Sequence, residues 1–179
     1  TTLGSRDLEI EAERKAKFMS LYDPLHERLV RFVQTTVWDR EEAQDIVSET
    51  VLSAFEHFDK VRHHEAFLYY LFTIAKRKIN RRYAQQKRLS GMSEEIIDRT
   101  PDTSPDVHRQ IQIKELRDAI TKLPDKYREP LVLFEFSGLS IKEIAEITEL
   151  SENGVKSRLL RARQQLSELL EGTLHERTT

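Results

Sequence analysis

The sequence predicts an all-α protein built from two small helical domains that are joined by a flexible acidic linker. Glycine and proline are scarce, with five of each in 179 residues. Apolar residues recur at helical spacing through most of the chain, whereas the strict alternation that marks half-buried strands is absent over any useful length. A chain of this size holds one domain or two small ones, each with a modest core.

The segment 89–108 separates the two predicted domains by its composition. It carries one glycine, two prolines, several Ser and Thr residues and five acidic residues. Such a composition favours a flexible tether over a helix. We therefore expect an N-terminal extension at residues 1–17, a first domain at 18–88, the linker at 89–108, a second domain at 109–172 with a helix-turn-helix, and a tail at 173–179.

Three helices are predicted in the first domain. The first runs from about residue 9 to residue 37 and bends near Pro24, because proline interrupts helical hydrogen bonding. The second begins with Asp39 as its N-cap and has Glu42 three residues later, which is a capping-box pattern. The third runs from about residue 65 to residue 88. The predicted inward residues are Leu21, Leu25, Leu29, Phe32 and Val33 in the first helix, Val47, Val51, Ala54, Phe55 and Phe58 in the second, and Leu68, Leu71, Phe72, Ala75 and Ile79 in the third.

The outer face of the second helix is acidic with an apolar centre. An acidic face of this kind suits docking against a basic protein partner. An ordinary amphipathic surface helix with one stray leucine explains the same pattern equally well. The face comprises Asp45, Glu49, Leu52 and Glu56, with Ser48 and Ser53 at its margins.

The outer face of the third helix combines aromatic rings with cations. Seven basic residues and no acidic residue lie between Lys76 and Arg88. Rings that stack on unpaired bases and cations that neutralise phosphates are what single-stranded nucleic acid requires. A solvated basic helix end is the simpler interpretation. The residues on this face are Tyr69, Tyr70, Thr73, Lys76, Arg77, Asn80 and Arg81.

The second domain contains the pattern of a helix-turn-helix. Ser140 and Glu143 form a capping box ahead of a short helix, and a longer basic helix follows from about Ser151. A short helix, a tight turn and a basic second helix predict a unit whose second helix enters a major groove, although two packed helices with a solvated basic face remain possible. The second helix buries Val155, Leu159, Ala162, Leu166 and Leu169 and exposes Asn153, Ser157, Leu160, Arg161 and Gln164, flanked by Lys156, Arg158 and Arg163.

Composition argues against several other classes of protein. The chain has no cysteine, and its one close histidine pair, His63 and His64, is adjacent in sequence and poorly placed to ligate one metal, so we expect no metal site. No catalytic residue set or glycine-rich phosphate loop is recognisable. We therefore expect that the protein is not an enzyme and that it binds no cofactor. The net charge of −2 confines nucleic-acid binding to local patches. The absence of a long apolar run predicts a cytoplasmic protein without membrane insertion.

Taken together, residues 18–170 resemble a bacterial RNA polymerase sigma factor of the extracytoplasmic-function (ECF) group, whose members have only the second and fourth sigma domains. The most specific similarity covers residues 123–163, LPDKYREPLVLFEFSGLSIKEIAEITELSENGVKSRLLRAR. Residues 39–61 resemble the helix that clamps the polymerase β′ subunit. This resemblance implies polymerase contacts at Asp45, Ser48, Glu49 and Leu52.

Residues 66–88 resemble the segment that opens and reads the −10 promoter element. Three departures prevent a transfer of promoter preference: Tyr70 stands where most relatives have Trp, Arg77 replaces the usual Asn, and the loop 62–67, which holds a flipped base in the family, carries His63 and His64. The resemblance implies −10 contacts at Phe67, Tyr69, Tyr70, Lys76, Arg77, Asn80 and Arg81, and −35 contacts at Asn153, Lys156, Ser157, Arg158, Leu160, Arg161 and Arg163.

The function implied by the resemblance is that of an alternative sigma factor. Such a protein binds the β′ and β subunits of core RNA polymerase. It also recognises −10 and −35 promoter DNA and helps to melt that DNA. An anti-sigma factor is expected to silence it, and the exposed Leu52 and Leu160 are candidate contacts. Two other functions stay open: a helix-turn-helix regulator that acts without polymerase, and a helical adaptor that binds only proteins.

Overall fold

The computed structural model describes the chain over residues 2–89 and 107–176. These ranges contain helices and no strand, so the all-α prediction is confirmed. The chain divides into two compact units between Ile97 and Asp98, within the predicted linker. Residues 90–106, which make up most of that linker, lie outside the described residues. No helix of the described ranges is long and apolar enough to cross a membrane.

Over its described residues, 2–89, the first unit contains four α-helices rather than the three expected. A short 3-10 turn at Asp23–Leu25 separates the first two, because Pro24 falls there and ends the continuous helix predicted over residues 9–37. The helices are α1 (Thr2–Tyr22), α2 (His26–Thr36), α3 (Arg40–Glu56) and α4 (Phe67–Leu89).

Helix α1 joins the predicted extension at residues 1–17 to the core of the first unit. Its Arg14 donates hydrogen bonds from Nη2 to the backbone oxygens of Phe55 at 2.6 Å and Glu56 at 3.3 Å. The same guanidinium pairs with Asp59 at 3.1 Å and lies 4.5 Å from the centre of the Phe55 ring. A cation at this position satisfies the free carbonyls at the C-terminus of α3 and is favoured by the helix dipole.

Helix α3 is rotated by about one residue from the orientation that its apolar pattern predicts. Val47, Val51 and Phe55 are half-buried. Ala54 is buried as predicted, but Ala43, Ile46 and Thr50 take the other core positions, where α3 packs against both α2 and α4. Thr50 tolerates full burial because its hydroxyl donates to the backbone oxygen of Ile46 at 2.6 Å.

The N-terminus of α3 forms only half of the predicted capping box. The Asp39 carboxylate accepts a hydrogen bond from the backbone N–H of Glu42 at 2.9 Å, which confirms the N-cap. The Glu42 carboxylate instead accepts from the Gln86 amide of α4, at 3.0 and 3.1 Å. A residue that the sequence places in a local cap therefore joins two helices.

An aromatic cluster connects α1, the end of α3 and the start of α4. The Phe18 ring lies 5.2 Å from Phe55, 5.4 Å from Phe58 and 5.5 Å from Phe67, measured between centroids, and all three pairs are nearly perpendicular. Edge-to-face contacts of this kind are the favoured geometry for buried rings. The predicted burial of Phe58 is confirmed.

Between residues 107 and 176, the part that the structure describes, the second unit has four helices, and α8 packs against the three before it. The capping box of α7 is confirmed: the Ser140 hydroxyl accepts from the Glu143 N–H at 3.2 Å, and the Glu143 carboxylate accepts from the Ser140 N–H at 2.7 Å. α8 extends beyond residue 172, where the tail was expected to begin. The helices are α5 (Val107–Lys122), α6 (Asp125–Glu135), α7 (Ile141–Thr148) and α8 (Glu152–Glu176).

A tight turn fixes the angle between α7 and α8. Glu149 closes α7 in the left-handed conformation, with φ of 57°. Ser151 then accepts a hydrogen bond from the Gly154 N–H at 3.0 Å and caps α8. On α8, Val155, Leu159 and Ala162 are buried as predicted, whereas Leu166 and Leu169 are half-buried.

Candidate nucleic-acid interface

The outer surface of α3 is exposed as the sequence predicts. We call Asp45, Ser48, Leu52 and Glu56 the α3 acidic face; all four are exposed, and Leu52 has 58% of its surface accessible. Glu49 belongs to the same helix but is turned towards α4. Its carboxylate pairs with Arg82 at 2.7 Å and with Lys78 at 3.7 Å.

The outer surface of α4 carries fewer accessible groups than predicted. Arg77, Asn80 and Arg81 are exposed, and we call these three the α4 basic face; Lys76 and Tyr69 are half-buried. Within the described residues, Arg77 and Arg81 have no ion-pair or hydrogen-bond partner. Their charges are therefore available to phosphates.

Two of the three aromatic residues in the first turn of α4, Phe67 and Tyr70, are engaged by other helices of the first unit. Phe67 is only 1% exposed and belongs to the aromatic cluster, so its side chain is not accessible to DNA in this structure, and the contact stays a prediction. Phe67 is buried because Phe18 of α1 covers it. Tyr70 is half-buried, and its hydroxyl donates to the backbone oxygen of Ala54 at 3.3 Å. Burial raises the pKa of the Tyr70 hydroxyl, which stays protonated and able to donate.

The outer surface of α8 is exposed as the sequence predicts. Asn153, Lys156, Ser157, Leu160 and Arg161 are exposed, and we call them the α8 outer face. Leu160 has 69% of its surface accessible. Arg158 is half-buried beside the core stripe, as expected.

Two arginines of α8 reach back to α6. Arg163 pairs with Glu135 at 2.6 Å and lies 5.4 Å from the centre of the Phe134 ring, so it is held against α6. Arg161 lies beside the Tyr127 hydroxyl. Burial raises the pKa of Tyr127, but the Lys126 ammonium and the Arg161 guanidinium outweigh burial, and the net pKa is lowered.

The apolar and charge patterns of the sequence did not predict the residues that join α3 to α4. Lys78 and Arg82 were counted only among the seven basic residues of α4, yet both pair with Glu49. The available signal was charge complementarity between the two helices, which has meaning only once their packing is known.

These features define a helical DNA-binding protein with a helix-turn-helix in one unit and adjacent acidic and basic faces in the other. Sequence models of Sigma-70 region 2 and Sigma-70 region 4 match residues 21–89 and 113–166. The ECF RNA polymerase sigma factor SigM of Bacillus subtilis (strain 168) is 31% identical over 153 residues, covering 83% of this chain and 92% of SigM. EcfG of Rhodopseudomonas palustris (strain TIE-1) is 32% identical over 130 residues, covering 73% and 72%. The chain belongs to the family of ECF RNA polymerase sigma factors.

Solved structures share the fold. The sigma factor RpoE from Bartonella quintana, crystallised with the anti-sigma factor NepR, has a TM-score of 0.70 and 23% identity, covering 87% of this chain and 97% of that chain. CnrH, solved with the cytosolic domain of CnrY, has a TM-score of 0.67 and 22% identity, covering 88% and 90%.

Proposed function

We propose that three helix faces of this sigma factor each bind a different part of the transcription machinery. The α3 acidic face binds core RNA polymerase, the α4 basic face contacts the −10 element, and the α8 outer face reads the −35 element. The observation that carries the proposal is that one chain has both features. One unit has an exposed basic helix that is capped and fixed by a tight turn, and the other unit has an acidic face centred on exposed Leu52. A regulator acting alone has no use for the second feature.

The α3 acidic face suits a basic protein surface. Asp45 supplies charge, Ser48 a hydrogen-bonding group, and Leu52 an apolar centre that loses its water on docking. Complementary charge steers the encounter and excludes wrong partners. The β′ subunit of core polymerase is the partner that the family resemblance implies for this face, and β is the second polymerase subunit expected to participate.

The α8 outer face suits sequence reading in a major groove. The N-terminal residues of a recognition helix lie nearest the base edges, and Asn153, Lys156 and Ser157 occupy the first two turns of α8. Arg161 lies further along the same face. Arg158 and Arg163 lie at its margins, where phosphates are closer than bases.

Neither unit needs to bind its DNA element strongly alone. Each presents one helix face, and linked sites gain affinity from the high effective concentration of the second after the first is bound. Core polymerase would hold both units on one promoter. The protein would thus act in the cytoplasm as a transcription initiation factor rather than as an enzyme in its own right.

An anti-sigma factor is the second proposed partner. The similar sigma factor RpoE was crystallised with the anti-sigma factor NepR, and the similar protein CnrH was solved with the cytosolic domain of CnrY. Leu52 and Leu160 are the exposed apolar residues on the α3 and α8 faces, so a protein that covers both would block polymerase and DNA together.

One experiment separates this function from its alternatives. The purified chain is passed over a sizing column with core polymerase, and the complex is then supplied with a promoter library. Co-elution followed by transcription from a subset of promoters supports the proposal. DNA binding without co-elution would indicate a regulator, and co-elution without transcription would indicate an adaptor.

A further inference from the structure

Leu160 is the most exposed large apolar side chain in the described part of the second unit. Between positions 109 and 172 it has 69% of its surface accessible, whereas Ile113 and Ile111 of α5 have 42% and 36%. It lies opposite the buried stripe of α8, and the residue before it, Leu159, is only 3% exposed. The packing of the second unit therefore leaves Leu160 in water.

The helix surface around Leu160 is polar. Residues three and four positions away are the nearest neighbours of a side chain on a helix surface. All four of these neighbours carry polar or charged groups, so Leu160 is an isolated apolar side chain within a polar surface. The neighbours are Lys156, Ser157, Arg163 and Gln164.

The two arginines closest to Leu160 in sequence are directed towards α6 and leave it uncovered. Arg163 donates from Nε and Nη2 to one carboxylate oxygen of Glu135, at 3.0 and 2.6 Å. Arg161 lies beside the Tyr127 hydroxyl. The apolar surface of Leu160 therefore stays at the front of the α8 outer face, between groups that donate hydrogen bonds.

The chemistry of the major groove limits what Leu160 can meet there. Base edges in that groove present hydrogen-bond donors and acceptors, and the one apolar group among them is the C5 methyl of thymine. A leucine side chain can neither donate nor accept a hydrogen bond. Facing any other base, it would remove water from polar groups and leave them without a partner. Facing a thymine methyl, both apolar surfaces leave water together.

The position of Leu160 along α8 places it over bases when the outer face enters the groove. Lys156 and Ser157, in the first two turns of α8, lie one turn before it on the same face. A helix advances by about 5.4 Å per turn, and DNA advances by about 3.4 Å per base pair. The base that Leu160 reaches is therefore within about two base pairs of those that Lys156 and Ser157 reach.

We propose that Leu160 is a specificity-determining residue that selects thymine at one position of the −35 element through contact with the C5 methyl group. This inference rests on the proposed role of the α8 outer face and deepens it by naming the chemical group that one side chain recognises. The donors around Leu160 recognise hydrogen-bond acceptors, which guanine, adenine and thymine all offer in the major groove. Leu160 adds a preference for thymine that those donors cannot supply.

Removal of single methyl groups from the DNA tests the inference. Uracil lacks only the C5 methyl of thymine and forms the same base pair. In a promoter that the wild-type holoenzyme transcribes, each −35 thymine on either strand is replaced by uracil in turn, and holoenzyme affinity is measured by titration. One replacement should weaken wild-type binding about fourfold, the value expected for one buried methyl group. Leu160→Ala holoenzyme should bind the thymine and uracil forms of that promoter equally.

Three further variants sharpen the comparison, and circular dichroism checks that each is folded. Leu160→Met keeps an apolar side chain and should keep the preference for thymine over uracil. Leu160→Gln has a similar size but a polar end and should lose that preference. Gln164→Ala is the matched control, because it removes an exposed side chain one turn further along the same face. It should keep the fourfold response to uracil.

Three results would overturn the inference. In the first, no replacement of thymine by uracil weakens wild-type binding. In the second, every replacement weakens wild type and Leu160→Ala by the same factor. Either result would leave Leu160 as a contact for a protein partner such as an anti-sigma factor. In the third, Gln164→Ala also loses the preference, which would attribute it to the helix as a whole.

Failure of the proposed function gives a different result. A wild-type holoenzyme that binds intact and scrambled −35 elements equally does not read that element through α8. This comparison uses no variant and no uracil, so it is complete before the methyl contact is tested.

Discussion

The helix pairs α3–α4 and α7–α8 present the candidate surfaces, and they fix those surfaces in different ways. The orientation of α8 follows from neighbouring residues: the capping box of α7, the left-handed Glu149 and the Ser151 cap. The orientation of α3 and α4 depends on contacts between residues more than thirty positions apart, among them Glu49–Arg82 and Glu42–Gln86. Local signals determine one surface, and long-range polar contacts determine the other.

The difference explains where the sequence predicts a face correctly. On α8, a single apolar stripe faces one core, so exposed and buried residues separate cleanly. α3 lies between α2 and α4, and the residues it buries include small and polar ones. The exposed face of α3 is therefore harder to predict from sequence than the exposed face of α8, which lies opposite a single apolar stripe.

The largest expected effect tests the α3 acidic face. Asp45→Arg should abolish binding of core polymerase. A reversed charge within a complementary interface costs on the order of 2–5 kcal/mol of binding free energy, because it repels the partner and leaves a charge unpaired. Pull-down with core polymerase measures it, and circular dichroism should be unchanged. Glu11→Arg, the same charge change on exposed α1, is the control. Equal binding of core polymerase by both variants would show that the α3 acidic face does not bind it.

A smaller effect tests whether α8 reads bases. Arg161→Ala should relax preference at one or two −35 positions and cost about 1–3 kcal/mol on the preferred sequence. Arg158→Ala, at the margin of the face, should weaken all promoters alike and lower the salt slope by about one. Holoenzyme binding to a randomised −35 library at two salt concentrations measures both. Uniform loss by both variants would mean that Arg161 reads no base.

A third effect concerns the contact of α1 with the end of α3. Arg14→Ala should lower the free energy of unfolding by about 1–2 kcal/mol, because two backbone carbonyls and Asp59 lose their cationic partner. Denaturant unfolding measures it. Lys17→Ala, which alters an exposed cation of the same helix, should change little. An unchanged midpoint for Arg14→Ala would show that α1 is not integrated with the first unit.

The smallest effect tests the local determination of the helix-turn-helix. Ser140→Ala should cost about 1 kcal/mol, since the Glu143 N–H loses its acceptor at the start of α7. Ser140→Asp should retain most of the stability. Thermal unfolding of the full chain checks both variants, and the local explanation fails if alanine and aspartate are equally destabilising.

The sequence predicts much of this molecule because caps and apolar stripes are local. The Ser140–Glu143 cap, the buried Val155, Leu159 and Ala162, and the exposure of Leu52 all follow from spacing. The burial of Phe67 does not, because it depends on Phe18 arriving from α1. Nor does the engagement of Glu49, which requires the distance between α3 and α4.

The central claim is that polymerase and DNA bind different helix faces. Site-specific photocrosslinking within a holoenzyme–promoter complex is its most direct test. A photoreactive residue replaces Leu52, Arg81 or Ser157 in turn, and the crosslinked partner is identified on denaturing gels. We expect a polymerase subunit at position 52, DNA of the −10 region at position 81 and DNA of the −35 region at position 157. Crosslinking of DNA at position 52, or of polymerase alone at position 157, would contradict the assignment of faces.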